Sequence, residues 1–448
     1  MRAVGMPELA IDTLSLYYRR LLAGENGEIS ETEIEPVSDL PDAERLPEEC
    51  AEIGRRALSR TVLVKLNGGL GTGMGLDRAK SLLVVKEGLT FLDIIARQAL
   101  AAGVPLLLMN SMATEQDTRE KLSAYPELER PGLPLTFVQH RIPKLCRDSL
   151  LPVNCPENPE LEWCPPGHGD LYPALVTSGT LEALLEHGFQ YAFVSNADNL
   201  GAVLDPAILG YFVREQVPFM MEVADRTAAD RKGGHLACRK GDGGFLLREA
   251  AQCPAAEKER FQDVERYRYF NTNSLWLDLR ALARKLDEND GCLELPLIVN
   301  RKPVDPRRPD STPICQLETA MGSAIGVFAG ACALRVPRTR FAPVKTTDDL
   351  VAVRSDAYRL EKDFTVRLAT SSGRVPVVRL DPRFYRMIDD FERRFPGGPP
   401  SLADCRELVV EGDMIFPDKI AIHGRVRLKA PDGQSLQLPA GLMVAGAD

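Results

Sequence analysis

Apolar positions change their texture near Thr61. Before it, helical spacing holds only over residues 14–22, which predicts an amphipathic helix with a basic end at Arg19 and Arg20. Residues 28–49 (EISETEIEPVSDLPDAERLPEE) are acidic and proline-broken, which predicts loop. From Thr61, TVLVKL is a short β-branched run and predicts a buried strand. SLLVV predicts a second strand, and FLDIIARQALAAG a helix. Thr90 and Asp93 fit a capping box for that helix, which Gly103 and Pro105 end. VPLLLMN predicts the next strand, and LTFVQ another that ends near Gln139. TSGTLEALLEHG predicts a helix with Gly188 past its end, YAFVSNADN a strand, PAILGYFVREQ a helix and VPFMMEVA a strand. Strands that are apolar throughout, alternating with helices, predict a mostly parallel α/β sheet covered on both faces. Ligands of such sheets bind beyond the carboxyl ends of the strands.

After Arg231 the pattern loosens. GGHLACRKGDGGFLLREAAQCP predicts a hairpin, residues 270–277 a strand, and DLRALARKLDEN a helix. SAIGVFAGACALRV fits a packed helix or a strand and turn. RRFPGGPPS at 393–401 is the best linker candidate, and the short alternating runs beyond it predict a small β domain with β-helix-like turns.

The chain has 448 residues, enough for roughly three domains at about 150 residues each, or for one large α/β core with satellites. Its net charge of −9 argues against a nucleic-acid-binding surface but leaves room for a local positive pocket. No apolar run approaches the ~18 residues of a membrane span. The N-terminus lacks a secretory pattern, so a cytoplasmic location is expected. The 10 cysteines form no CxxC pair, and 5 histidines make an all-histidine metal site improbable on composition.

Chemistry concentrates where strands end. Glycines at 68, 69, 71, 73 and 75 follow the first strand. Bare backbone N–H groups there suit a phosphate or the flat face of a base. No GK[ST] closes the loop, so it is not a Walker A motif, and no helix opens at once as a dinucleotide fold requires. Lys80 follows and offers a mobile positive charge. Gln139 sits at a strand end with an amide that both donates and accepts. Asp198 ends a buried strand between Asn196 and Asn199, a position that suits Mg2+ shared with substrate phosphates.

KLNGGLGTGMGLDRAKS resembles the signature loop of the eukaryotic-type UTP–glucose-1-phosphate uridylyltransferases. WCPPGHGDLYPAL (163–175), FVSNADNLGAVLD (193–205), RKGGHLA (231–237) and FNTNSLW (270–276) are similar to further blocks of that family, in family order. So are PICQLETAMGSAIGVF (313–328) and RFAPVKTTDDLVAVRSDAY (340–358), while GDMIFPDKIAIHGRVRL resembles its C-terminal β-helix segment.

The resemblance implies a Rossmann-like, glycosyltransferase-A-like nucleotidyltransferase sheet with a small C-terminal left-handed β-helix-like domain. The expected division is a helical extension over 1–60, a catalytic domain over 61–390 and the β domain over 391–448. The implied reaction joins UTP and α-D-glucose 1-phosphate into UDP-glucose and pyrophosphate, with Mg2+. Leu66, Asn67, Gly68, Gly69, Gly71 and Thr72 would then face the nucleotide, with Gly73 and Met74 toward its phosphates. Gln139, Gly167 and Asn196 would complete the nucleotide site. His168, Gly234, Asn271, Asn273 and Glu318 would contact the sugar phosphate. Lys80, Lys345 and Asp198 would be catalytic, with Asp198 holding the metal. The chain departs from the family pattern at Ala79, where proline is usual, at His235 for threonine and at Ser274 for asparagine. Two alternatives stay open: another sugar 1-phosphate (galactose or N-acetylhexosamine) and a non-catalytic nucleotide-binding protein. No membrane or nucleic-acid partner is expected, and the residues leave monomer and homo-oligomer equally open.

Overall fold

Thr61–Asn67 is buried at all but one of its positions, as a strand covered on both faces must be. The computed structural model describes residues 1–306 and 308–446. Leu106–Asn110 and Tyr191–Asn196 flank the Thr61 strand in parallel, and Thr136–Val138 pairs in parallel beyond Leu106–Asn110. On the other side the direction reverses. Tyr269–Asp278 runs antiparallel to Tyr191–Asn196, to Phe219–Asp225 and to His235–Arg239. Phe245–Arg248 closes a hairpin with His235–Arg239, and Cys332–Arg335 lies parallel to Phe219–Asp225. The result is a mixed, Rossmann-like α/β sheet of 10 strands. The mostly parallel sheet read from the sequence is thus correct for one half only. The chain reaches Tyr269–Asp278 from the 235–248 hairpin through short turns and the helix Lys258–Phe261, and the strand runs antiparallel to its neighbours.

Helices cover both faces. Glu48–Ala57, Phe91–Ala102 and Pro206–Arg214 bury Ala57, Ile95, Ile208 and Phe212 against Phe193 and Trp276. Gly54 and Gly210 let two of these helices touch backbone to backbone; a Cβ at either would overlap a carbonyl of the other. The opposite face takes Leu171–Thr177, Thr180–Glu186 and Leu279–Asp287. The predicted capping box is present: Thr90 Oγ1 accepts from the Asp93 N–H at 3.1 Å and Asp93 Oδ2 accepts from the Thr90 N–H at 2.9 Å.

Four local readings change. Residues 28–49 are not all loop, since Ile34–Pro36 adds an edge strand against residues 237–239, with Ile34 fully buried beside Tyr267. SLLVV stays out of the main sheet; Lys80–Leu82 is a 3-10 turn and Val84–Lys86 pairs only with Leu89–Thr90. Its apolar side chains serve a second core, where Leu83 and Val85 meet Val344 and Leu350. The helix expected over 177–188 breaks at Gly179, whose φ of 71° leaves the helical region. The first helix is longer than its apolar period, running Glu8–Leu22.

The second core continues into the C-terminal residues. Val377–Leu380, Cys405–Glu411, Ala421–Lys429 and Met443–Ala445 pair in parallel, each with the next. Within 393–401, Phe395 is buried between Phe391 and Phe416, so this proline- and glycine-rich stretch is a packed turn. No helix among the described residues is long and apolar enough to cross a membrane.

Candidate active site

The parallel strands deliver polar residues to one edge. Asn67 donates from Nδ2 to Asn110 Oδ1 and to Thr118 Oγ1, both at 2.8 Å, and its carbonyl accepts from Thr114 Oγ1 at 2.8 Å. Its side chain is therefore spent on the floor of the site. The Asn110 carbonyl in turn accepts the Gln139 N–H at 2.8 Å and sets the height of Gln139. Gly68 lies beneath that glutamine; a Cβ there would stand 2.8 Å from Gln139 Nε2. Leu66, Gly68, Gly69, Gln139, Asn196 and Asp198 line a crevice of about 320 Å³ together with Asn67, Lys80, Gly167 and His168. That is within the ~300–1,000 Å³ range of small-molecule sites.

The rest of the glycine loop behaves differently. Gly71 and Gly75 adopt left-handed φ of 68° and 77° around the turn Thr72–Met74. Thr72 and Gly73 are exposed outside the crevice lining, and the Gly73 carbonyl accepts from Arg386 Nε at 3.3 Å. The Met74 side chain is buried in the second core with Leu83 and Val344, so only its backbone is left to face a ligand. The Lys80 N–H donates to the Gly69 carbonyl at 3.0 Å, which folds the loop back and returns Lys80 to the crevice.

Gly167 has a φ of 81°, and a Cβ there would run into the Thr319 carbonyl. This tight passage presents His168. The Met321 N–H donates to His168 Nδ1 at 2.9 Å, which leaves the proton on Nε2. Burial pushes the imidazole down to about 4, so His168 is a neutral donor. Behind it, Asp170 accepts the His140 N–H at 2.6 Å and meets the His140 ring at 2.8 Å. Burial raises the Asp170 carboxyl, opposed by these bonds.

The antiparallel half builds its side from a bulge. Register shifts between Glu222 and Val223, so Thr272 and Asn273 are extra residues in the facing strand. Asn273 takes a φ of 56°, and the two asparagines staple each other: Asn271 Nδ2 donates to Asn273 Oδ1, and the Asn273 N–H to Asn271 Oδ1, both at 2.9 Å. Gly234 passes against the Glu249 carboxylate, where a Cβ would sit 2.6 Å from its carboxyl carbon. Burial raises the Glu249 carboxyl, while a bond from Asn271 and the charge of Lys345 pull it back. The carboxylate that meets Asn271 is thus Glu249, which the sequence reading missed. Glu318, expected to contact the sugar phosphate, pairs with Lys302 at 3.3 Å and has its Cβ beside Gly167 of the crevice.

Between the two sides stand the charged groups. Lys80 Nζ lies 2.6 Å from Asp198 Oδ2. The Asp198 carbonyl accepts the Val344 N–H at 3.1 Å, which brings in the segment carrying Lys345. Asn199 locks that junction: its Oδ1 accepts from Gly201 N at 3.1 Å and Ala342 N at 2.9 Å, and its Nδ2 donates to the Arg340 carbonyl at 3.1 Å. Lys345 is exposed, with Nζ 5.7 Å from the Phe341 ring, and Phe341 packs edge-on against Phe270 beside Asn271. Among the described residues no group of three or more His, Cys, Asp or Glu side chains is placed to hold a metal ion.

Known proteins match over nearly the whole chain. The family described as UDPGP, UTP--glucose-1-phosphate uridylyltransferase, matches residues 12–423. The UTP--glucose-1-phosphate uridylyltransferase of Solanum tuberosum is 38% identical over 444 residues, covering 96% of this chain and 90% of that protein. That of Saccharomyces cerevisiae is 39% identical over 391 residues, covering 86% of this chain and 77% of that protein. A crystal structure of a UDP-glucose pyrophosphorylase variant from Leishmania major, in complex with UDP-glucose, superposes with a TM-score of 0.91 at 40% identity, covering 100% of this chain and 97% of that one.

Proposed function

The chain belongs to the UTP–glucose-1-phosphate uridylyltransferase family, and we propose that the two-sided crevice is where it works. It is a nucleotidyltransferase that converts UTP and glucose 1-phosphate to UDP-glucose and pyrophosphate. The observation that carries the site assignment is the convergence of Lys80, Asp198 and the Lys345 segment on the line between the glycine-loop side and the Glu249–Asn271 side. These residues are far apart in sequence, and a structural ion pair alone would not need a third strand of chain pinned beside it.

In this reading Gly68 and Gly69 lie under the uracil and ribose, and Gln139 reads the base edge with its amide. Asn271, Asn273 and Glu249 read hexose hydroxyls, which call for directional neutral and anionic acceptors. His168 donates from Nε2 to a phosphate oxygen at the centre. The sugar phosphate oxygen is already ionised at pH 7 and is itself the nucleophile, so the protein supplies no strong base. Its work is to align that oxygen opposite the pyrophosphate leaving group at the α-phosphorus and to neutralise charge. Lys80 leaves Asp198 for the phosphates as they enter, and Lys345 closes on them from the other side. Asp198 fits a hard divalent cation such as Mg2+ as one carboxylate beside substrate phosphate oxygens. Such an ion would supply further charge neutralisation at the triphosphate.

The serial parallel pairing of the C-terminal strands supports a short β-helix-like stack, and the 10 free cysteines support a reducing, cytoplasmic setting. The test is pyrophosphate release with UTP and a panel of glucose, galactose and N-acetylglucosamine 1-phosphates. Turnover with glucose 1-phosphate well above the others is expected. UTP binding without turnover would leave only a nucleotide-binding protein.

A further inference from the structure

The N-terminal segment reaches the sugar side of the crevice through its back. The Glu31 carboxylate is buried in the fold, 97% removed from solvent. It accepts from Arg248 Nη1 at 2.9 Å, from Arg266 Nε at 2.8 Å and from the Tyr267 hydroxyl at 2.7 Å. Arg248 is itself fully buried and is the residue immediately before Glu249. On the other side of Glu249, Gln252 Oε1 accepts the Glu249 N–H at 3.0 Å, and the Glu249 side chain accepts from the Gln252 backbone. The carbonyl of that same Gln252 accepts the Ile29 N–H at 2.8 Å. Ser30 Oγ and the Glu31 N–H further bond the Glu257 carboxylate, at 3.0 and 2.9 Å. Residues 29–31 therefore grip the chain before and after Glu249. The contacts of residues 29–31 involve none of the residues that line the crevice, and only the Gln252 N–H reaches the Glu249 carboxylate itself.

Arg248 Nη2 also donates to the Glu257 carboxylate at 2.5 Å, so Glu31 is one of the two carboxylates that neutralise it. A fully buried guanidinium that loses one of its two carboxylates, while Arg266 and Tyr267 lose the same acceptor, is held less well, and the chain around it shifts. Here the nearest backbone to shift is the turn that aims Glu249 past Gly234. We infer that Glu31 is a positioning residue for the sugar pocket, strapping the turn of residues 248–252 so that the Glu249 carboxylate stays against Gly234 and Asn271. This rests on the reading that Glu249 contacts the hexose. The strap fixes where that carboxylate stands and leaves the glycine loop, Gln139 and the nucleotide side untouched.

The experiment is steady-state kinetics of the full chain with both substrates varied, in Glu31→Gln, Glu31→Asp, Ile29→Pro and Glu249→Gln. Glu31→Gln keeps the shape and removes the charge. It should raise KM for glucose 1-phosphate about tenfold while KM for UTP stays within about twofold. Glu31→Asp keeps the charge and should recover most of the loss. Ile29→Pro removes the N–H to the Gln252 carbonyl, and with it fixes φ and trims the side chain; it should raise the same KM about threefold, which serves if Glu31→Gln does not fold. A parallel rise of both KM values, or a fall in kcat alone, would mark a merely structural role and overturn the inference. An unchanged sugar KM in Glu31→Gln or in a folded Ile29→Pro overturns it too, if Glu249→Gln raises that KM. If Glu249→Gln leaves it unchanged, the pocket reading fails and takes the inference with it.

Discussion

In the proposed reading, the two halves of the sheet deliver side chains to one substrate site by different means. In the parallel half, strands simply stop: Asn67, Gln139 and Asn196 stand at or just past strand ends, braced by Asn110 and Thr118. In the antiparallel half, the contacts come from inside a strand, at the Asn271–Asn273 bulge, and from the turn after a hairpin at Glu249. The first arrangement needs only a fixed strand end. The second needs correct register and outside support, which Glu31 supplies. The lesson is that a catalytic crevice can be rigid by construction on one side and rigid by bracing on the other.

That contrast is broken most forcefully at the junction. Lys80→Ala should lower kcat about 10²–10³-fold with both KM values within a few-fold, as expected when a charge acts mainly in the transition state. Single-turnover rates would check it; a loss seen only in one KM would assign Lys80 to one half. A smaller and sharper test uses the same added methyl on each side. Gly68→Ala pushes on the Gln139 amide, and Gly234→Ala on the Glu249 carboxylate. Each obstacle is the end of a flexible side chain, so the fold should survive. Gly68→Ala should raise KM for UTP about tenfold and leave the sugar KM alone, and Gly234→Ala should do the reverse. Crossed effects would mean that the halves do not divide the substrates. The mildest effect concerns His168. Its imidazole sits near about 4 in the fold against 6.5 in the unfolded chain, so between those values the unfolded chain alone takes up the proton. Stability from this group is complete above pH 6.5 and falls as the pH falls toward 4. Thermal midpoints measured over that window should decline less steeply in His168→Gln.

Much of the parallel half was legible in the sequence, and physics says why. Strands buried on both faces are continuous apolar runs, and Thr90 with Asp93 marks a helix start by local hydrogen bonding alone. Glycines crowded after a strand signal close approach, and the lysine after them returns to the crevice as expected. What was not legible depends on partners distant in sequence. Ile34–Pro36 is a three-residue edge strand in an acidic, proline-rich stretch, and only its pairing with residues 237–239 makes it one. Glu249 sits beside Arg248 in an otherwise apolar, alanine-rich stretch, and nothing local shows that Gly234 clears space for it. The family resemblance implies that Met74 lies toward the phosphates, and the sequence does not show that its apolar side chain is drawn into a core assembled from residues 74–438. The reversal of the sheet is likewise invisible in strands whose composition is the same in either direction.

The proposed mechanism depends most on Lys345, whose segment is tied to Asp198 by the Val344 N–H and to Asn199 by the Ala342 N–H and the Arg340 carbonyl, and whose ammonium it places among the reacting charges. The direct measurement is kcat for Lys345→Ala, with both KM values, against the unchanged chain. A fall in kcat of about 10²–10³-fold is expected, while UTP and glucose 1-phosphate bind nearly as before. Turnover close to that of the unchanged chain would contradict it.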